Sequence, residues 1–416
     1  MKSIGLIGFG VSNQSVYNFF KDTHKITVHN PNEIPLPNDV NSVFGSEYLK
    51  CDEDIIFRSP SVKKRQILTH SPIFCETVYA LNKLKSTKIC VTGSDGKTTT
   101  CSLIYNVLKC KNAFLGGNIG NPIINALDKK HDFVIGEISS FQLLDEEVFC
   151  DTAIITNITP NHLNYHTDME EYIGAKENLI KNAKKIVLNR DDKILFEIGE
   201  KYRKQNRKVE YFSLKKECDA YTKDGYVILK GEKLFSLDKI KLKGDFNILN
   251  VLATVLATYE YATFKEIENG ICSFCGVKNR LEFVRNFEGV AFYNSSIDST
   301  PSRTIATLSS FDIKNCVVIL GGSDKNLSYD ILGEHLKDAR YLIILGENKR
   351  KIIDALSPYT KRIIAVNTLL EAISTGFKYC QKGDNLILSP ASCSFDMYEN
   401  YAQRGNDFIK IVKELE

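Results

Sequence analysis

Residues 88–100, Lys-Ile-Cys-Val-Thr-Gly-Ser-Asp-Gly-Lys-Thr-Thr-Thr, run an apolar stretch into two glycines, a lysine and three threonines. Leu103, Ile104, Val107 and Leu108 follow at helical spacing. A strand, a tight glycine loop and an amphipathic helix in that order predict a cradle for a nucleoside triphosphate. Glycine lets backbone N–H groups approach phosphate oxygens, and the helix N-terminus adds positive potential there. Gly93, Ser94, Asp95, Gly96, Lys97, Thr98 and Thr99 are the candidate ATP-binding residues. Lys97 is expected to reach the β- and γ-phosphates, and Thr98 to offer its hydroxyl to Mg²⁺. The match to G-x-x-x-x-G-K-[ST] is inexact, because two residues separate Gly93 from Gly96.

Elsewhere, short Val/Ile-rich runs alternate with helix-length amphipathic stretches, which argues for parallel sheets and an α/β fold. Strands are expected at Ser3–Gly8, Lys25–His29 and Asp54–Phe57. Others are expected at Lys88–Gly93, Phe133–Ile138, Ala153–Asn157, Lys185–Asn189, Cys316–Leu320, Tyr341–Leu345 and Asn385–Leu388. YVILKGEKLFSL reads as a hairpin turning at Gly231, and Asn247–Thr258 as a helix. The 416 residues suggest two or three domains. The polar stretch Lys83–Lys88 and a new unit beginning near Gly276 place three: residues 1–86 (Rossmann-like), 87–276 (central, P-loop type) and 277–416 (Rossmann-like).

Apolar residues at 43% and charged residues at 25% exclude a mainly disordered chain. A net charge of +3 gives no reason to expect a nucleic-acid partner. No apolar run approaches the ~18 residues of a membrane span, and MKSIGLIGFG reads as a strand rather than a signal peptide. Twelve cysteines are too sparse for a disulfide scaffold, and Cys90, Cys101 and Cys316 sit in apolar runs as buried hydrophobes. A cytoplasmic, reduced, monomeric protein is expected. The Cys272–Cys275 pair reads as core, since no second pair accompanies it. The run from Lys201 to Lys208 reads as a solvated helix end.

Gly8-Phe-Gly10-Val-Ser-Asn-Gln resembles the opening of a dinucleotide fingerprint only in part. Asn13 occupies the third glycine position, and Asn30 stands where an acidic residue would end the second strand. A dehydrogenase is therefore not expected, although a nucleotide diphosphate moiety remains compatible with the turn.

The loop VTGSDGKTTT resembles the ATP loop of the Mur ligases, the amide-forming enzymes of peptidoglycan synthesis. Further resemblances follow in order: GGNIGNP at 116–122, EISSFQL at 137–143, NITPNHLNYH at 157–166, GAKENLI at 174–180 and LSPASCSFDMYENYAQRGNDF at 388–408. SSFQL and YAQRGNDF favour the D-glutamate-adding branch. The resemblance implies a three-domain ligase that spends ATP, with Mg²⁺, to join D-glutamate to UDP-N-acetylmuramoyl-L-alanine through an acyl phosphate. It implies Lys97, His162 and Lys176 as catalytic residues, and Thr98, Glu137, His162 and Lys176 as metal ligands for one or two ions. Lys176 would carry a carbamate formed from CO₂. Asn247, Asn250 and Arg280 would contact the nucleotide. Gly10, Val11, Ser12, Asn118, Ser139, Gln142 and His162 would hold the UDP-substrate, with Ser140 beside them. Lys325, Ser394 and Tyr401 would hold D-glutamate, since cations and hydroxyls suit a dicarboxylate. His166 is the competing histidine. A three-domain ligase is also expected to close over ATP and exclude water.

Several positions depart from the family pattern. Ser295 stands where Asp is expected, Asp298 where a small residue is usual, and Asn279 where a histidine precedes Arg280. Asp95 replaces an asparagine, and Ser61 a glycine whose φ could be positive. Two alternatives stay open: another ATP-dependent amide ligase (a sister Mur ligase or folylpolyglutamate synthase), or a nucleotide-binding relative whose site has decayed at Ser295.

Overall fold

The computed structural model describes residues 2–324 and 327–415. They form three sheets, and the chain separates into two compact units, one of residues 1–239 with 246–272 and one of 240–245 with 273–416. The mixed α/β architecture is the one expected.

The first unit holds two sheets. Strands β1 (Ser3–Ile7), β2 (Lys25–Asn30), β3 (Asn41–Phe44), β4 (Ile55–Arg58) and β5 (Ile73–Cys75) form an all-parallel sheet in the order β3-β2-β1-β4-β5. The second sheet comprises β6 (Thr87–Thr92), β7 (Ala113–Gly117), β8 (Phe133–Glu137), β9 (Thr152–Ile155), β10 (Lys185–Asn189), β11 (Val209–Ser213), β12 (Ala220–Lys223), β13 (Tyr226–Leu229) and β14 (Glu232–Ser236). Its order is β14-β13-β12-β11-β10-β9-β6-β8-β7. The chain leaves β6 toward β7, returns to β8 beside β6, then crosses to β9 on the other side. The strand order thus reverses at β6, and in open α/β sheets ligands bind in the crevice outside the carboxyl ends of strands at such a switch point. Lys230 and Gly231 turn the β13–β14 hairpin, both with positive φ (50° and 90°), the conformation a two-residue hairpin turn of this hand requires.

The second unit is built on β15 (Glu282–Phe287), β16 (Val290–Asn294), β17 (Cys316–Gly321), β18 (Tyr341–Leu345), β19 (Ile363–Ala365) and β20 (Asn385–Leu388), in the order β15-β16-β20-β17-β18-β19. Only β15 runs antiparallel to its neighbour. Val318, Leu320, Leu342, Ile344 and Ile387 pack one face, while Val317, Ile319, Ile343, Leu345, Leu386 and Leu388 pack the other. A sheet buried on both faces needs such continuous apolar strands, which is why β17, β18 and β20 are legible in the sequence.

All twelve cysteines are free thiols. Cys272 closes the helix Phe264–Cys272, whereas Cys275 lies beyond it. Ser61 has no positive φ, so serine is accommodated there. No helix of the described residues is long and apolar enough to cross a membrane.

Candidate active site in the first unit

The loop after β6 takes its shape from two glycines. Gly96 precedes the helix Lys97–Leu108 with φ 81°, and a Cβ there would lie 2.4 Å from Asn250 Oδ1. Gly93 has φ 151°, and its Cβ would fall 1.8 Å from Thr156 Oγ1. Any side chain at either position meets both a backbone penalty and an occupied space. Neighbouring strands brace the loop: Ser94 N–H donates to Asn157 O (2.9 Å) and Asp95 N–H to Asn157 Oδ1 (2.9 Å). Thr156 Oγ1 donates to Asp95 O (2.5 Å). Ser94 Oγ donates to Thr159 O (3.0 Å) and sits 2.9 Å from the Tyr172 hydroxyl, so this side chain holds the loop together. Asp95 is exposed, and Thr98 and Thr99 are half-buried at the start of the helix.

Two lysines converge on the same carbonyl. Lys97 Nζ donates to Gly93 O and Ser94 O, and Lys176 Nζ to Gly93 O, each at 2.8 Å. Lys176 is 1% exposed in the helix Met169–Lys181, with its Nζ 4.5 Å from the Tyr172 ring centroid. Burial first, and then the charge of Lys97, lower its pKa to about 6 despite the opposing pull of Asp95. Desolvation disfavours the charged amine, so at neutral pH Lys176 is mostly a neutral nucleophile. His162, with φ 56° in the segment after β9, is lowered by partial desolvation and then by Lys97 and Lys176. It therefore keeps a neutral imidazole, the form that can ligate a metal. Its ring packs edge-on to Phe141, centroids 5.0 Å apart.

Glu137 ends β8 and is 2% exposed. Asn118 reaches it twice, through its backbone N–H to Glu137 O (2.8 Å) and its Nδ2 to Oε1 (2.9 Å). Gly117 permits this approach: its φ is 99°, and a Cβ would lie 2.2 Å from Glu137 O. Glu137 Oε2 is buried without a hydrogen-bond partner among the described residues. An anionic oxygen with unspent acceptor capacity, near a threonine-bearing helix start, fits a hard divalent cation such as Mg²⁺.

The remaining candidates are placed as follows. Asn250 and Asn247 are buried in the helix Asp245–Thr258. Thr100 Oγ1 donates to Asn250 Oδ1 (3.1 Å), and Asn250 Nδ2 donates to Asn247 Oδ1 (3.2 Å). Asn250 thus backs the glycine loop directly. Ser139 and Gln142 cap one another in a capping box, and Gln142 Nε2 donates to Thr77 Oγ1 (2.8 Å), which uses that amide inside the fold. Ser140 Oγ lies 3.0 Å from Nε2 of the buried His166, whose other nitrogen faces Glu171 at 3.4 Å. His166 is therefore locked into the core, whereas His162 is exposed. Gly10, exposed Val11 and half-buried Ser12 open the helix Val11–Phe20, remote in sequence from the triphosphate loop.

In the second unit Arg280 is exposed and Ser394 is buried, while Tyr401, 43% exposed, begins the helix Tyr401–Glu414. Lys325 lies outside the described residues. Ser295 is fully buried, its Oγ accepting from Leu281 N–H (3.1 Å). The buried Asp298 carboxylate accepts from Ser389 Oγ (2.8 Å), and the hydroxyls of Ser295 and Thr307 also face it. Burial pushes its pKa up against those hydrogen bonds. Asn279 replaces the expected histidine without leaving a gap, because Asn294 Nδ2 donates to its Oδ1 (2.9 Å).

Sequence reasoning did not single out Tyr172, Thr156 or Asn157 as loop-bracing residues. Tyr172 stands four residues before Lys176 on one helix, a spacing that puts both on the same face. Asn157 opens the NITPNH segment and could have been found there.

The chain has counterparts among known proteins. Family models of the Mur ligase middle domain and of the Mur ligase, glutamate ligase domain match residues 91–258 and 279–392. UDP-N-acetylmuramoylalanine–D-glutamate ligases of Clostridium tetani and Ruminiclostridium cellulolyticum are 35% and 36% identical, over 100% of this chain and 97% of each relative. The crystal structure of the UDP-N-acetylmuramate–alanine ligase of Thermotoga maritima is similar in fold, with a TM-score of 0.62 at 20% identity over 99% of both chains. The MurF ligase of the same organism, in complex with ADP, gives 0.55 at 16% identity over 99% of this chain and 94% of its own. With both domain models and full-length relatives in agreement, this chain belongs to the Mur ligase family.

Proposed function

We propose that this chain joins D-glutamate to UDP-N-acetylmuramoyl-L-alanine at the expense of ATP, a cytoplasmic step of peptidoglycan synthesis. The observation that carries this reading is the convergence of Lys97, Lys176, His162 and the partner-free Glu137 oxygen around the loop after β6. A carboxylate oxygen of the substrate attacks the γ-phosphorus, ADP leaves and an acyl phosphate forms. The amine of D-glutamate then attacks the acyl carbon, the tetrahedral intermediate collapses, and phosphate and a proton depart. Negative charge gathers on crowded oxygens in both steps, so fixed cations matter more than a protein nucleophile. Loop N–H groups and Lys97 bind the triphosphate, while Gly96, backed by Asn250, holds the loop open. Thr98 and Glu137 would hold Mg²⁺, which would supply neutralisation of phosphate charge.

The neutral amine of Lys176 is suited to adding CO₂: its lone pair attacks carbon, a proton leaves, and a carbamate anion results. That anion and neutral His162 would hold a second ion. Arg280, Asn247 and Asn250 are assigned to the nucleotide. Gly10, Val11, Ser12, Asn118, Ser139 and Gln142 are assigned to the UDP-substrate, with Asn118 also orienting Glu137. Lys325, Ser394 and Tyr401 are assigned to D-glutamate, and the domains to residues 1–86, 87–276 and 277–416. The hydroxyls facing Asp298 support an intact rather than decayed segment around Ser295.

The test is phosphate release from ATP with Mg²⁺, UDP-N-acetylmuramoyl-L-alanine and, in turn, D-glutamate, L-glutamate, L-alanine or diaminopimelate. Release only with D-glutamate, lost in Lys97→Ala, is expected. Release only with another amino acid would move the assignment to a sister ligase, and none at all with ATP bound would sink the ligase reading.

A further inference from the structure

The face of the first sheet opposite its two helices carries a cluster that the ligase chemistry does not use. His29 on β2, Cys51 and Glu53 each offer a ligand atom, and the three atoms lie within 4.8 Å of one another. Among the described residues this is the one such group of three His, Cys, Asp or Glu side chains. His29 is 2% and Cys51 1% exposed, and the Glu53 side chain is 12% exposed. His29 Nε2 stands 3.0 Å from Glu53 Oε1. His29 Nδ1 and Glu53 Oε2 are buried with no hydrogen-bond partner within ordinary distance among the described residues, although the Thr27 hydroxyl faces the carboxylate; a buried polar atom left unsatisfied is destabilising. Gly5 on β1, opposite Thr27 in register, makes room for the carboxylate, since a Cβ there would lie 2.8 Å from Glu53 Oε2. Ile7, Ile56 and Ile67 pack with Cys51 around the cluster and keep it dry.

We propose that His29, Cys51 and Glu53 bind a Zn²⁺ ion that fastens the segment between β3 and β4, residues 45–54, to the first sheet. The donor set decides the metal. Thiolate and imidazole select a borderline-soft cation, whereas Mg²⁺ and Ca²⁺ take oxygen ligands. Zn–N and Zn–O bonds of about 2.0–2.1 Å in a tetrahedron put ligand atoms roughly 3.3 Å apart, close to the His29–Glu53 separation. Three protein ligands leave a fourth position for water. Burial first, and then Glu53 and Asp52, raise the Cys51 thiol to about 12. Binding expels the thiol proton to solvent as the S–Zn bond forms, while His29 lends a ring-nitrogen lone pair and Glu53 a carboxylate oxygen. The Cys272–Cys275 pair is the rival thiol site, so the test must separate the two.

The full-length protein is stripped with a chelator, loaded with Co²⁺ and read for a thiolate-to-cobalt charge-transfer band; parallel samples loaded with Zn²⁺ are dialysed and their metal counted. One equivalent of Zn²⁺ per chain is expected, with a cobalt band absent in Cys51→Ser and retained in a Cys272→Ser/Cys275→Ser double variant. Glu53→Gln keeps the thiol and should keep the band while weakening Zn²⁺ about tenfold or more. No retained zinc and no band in the unaltered chain would overturn the proposal, leaving His29–Glu53 as a plain buried hydrogen bond. A band that survives Cys51→Ser would overturn it too. If Cys51→Ser does not fold, an unchanged Zn²⁺ affinity in Glu53→Gln settles the matter against it.

Discussion

The first unit contains two strand–glycine–helix turns built on one backbone plan, and they differ in what stands behind the glycines. At the end of β1, Asn13 fills the space beneath the turn, its Nδ2 donating to Ile7 O (2.9 Å), Gly8 O (2.8 Å) and Phe57 O at 3.4 Å. Gly10 has an ordinary φ of −75° and open space around it. At the end of β6, both glycines are forced by close contacts, and two lysines, a buried carboxylate and a neutral histidine surround the loop. Glycine supplies access, but the side chains behind it decide which chemistry is possible. A turn plugged by an amide can present N–H groups to an anion, whereas one lined by Lys97 and a carboxylate suited to a divalent cation can stabilise charge as it develops.

The contrast can be broken experimentally. Glu137→Gln keeps the size of the side chain and removes its charge, so kcat/KM should fall about 10²–10³-fold, measured as phosphate release. A smaller loss than that of Asn118→Ala would show that Glu137 is not the metal-side group. Lys176 should impose a pH limit. Its folded pKa is about 6 against an unfolded lysine value of 10.4, so between those values the unfolded chain binds more protons and stability rises with pH. Below about 6 both states are charged and the slope from this group vanishes. Thermal unfolding in CO₂-free buffer should show wild type gaining on Lys176→Met between pH 6 and 8; parallel curves would refute the burial argument. Activity should fall near tenfold per pH unit below 6.

Backbone substitutions sharpen the same comparison at lower energies. Gly96→Ala should cost about 1–3 kcal/mol in chemical denaturation, because a positive φ and Asn250 both oppose it. Asn13→Ala should cost about 1–3 kcal/mol by removing the amide's hydrogen bonds to Ile7 O and Gly8 O beneath the turn, with ATP affinity unchanged. Gly10→Ala should stay within about 0.5 kcal/mol; a loss matching that of Gly96→Ala would show that the two turns are not distinguished by their surroundings.

Where residues dictate structure locally, the sequence was a sufficient guide. Lys185–Asn189, Tyr341–Leu345 and Asn385–Leu388 form strands over the spans expected, since continuous apolar runs suit sheets covered on both faces. Strand β7 was not anticipated, because Gly116 and Gly117 weaken its β-propensity; Gly117 makes room for Glu137 on the neighbouring strand, and Gly116 for the carbonyl of Asn121. Short β19 and edge strand β15, only partly buried, likewise lack a periodic pattern. In the site, Lys97, Glu137, His162 and Lys176 were legible through their flanking motifs. The bond from Asn118 to Glu137 and the spent amide of Gln142 were not, since both depend on partners brought in by the tertiary fold.

The bracing of the β6 loop has a consequence for the order in which the molecule assembles. Its fastenings reach 61 residues onward to Thr156, 65 to Thr159 and 83 to Lys176. Closing such long segments costs chain entropy before any contact repays it. The loop therefore cannot take its shape in an isolated 88–108 fragment, and must wait for β9 and the helix Met169–Lys181 to dock. Nucleotide affinity acquired during refolding thus serves as a clock for completion of the central sheet, rather than for formation of the strand and helix that bear the loop.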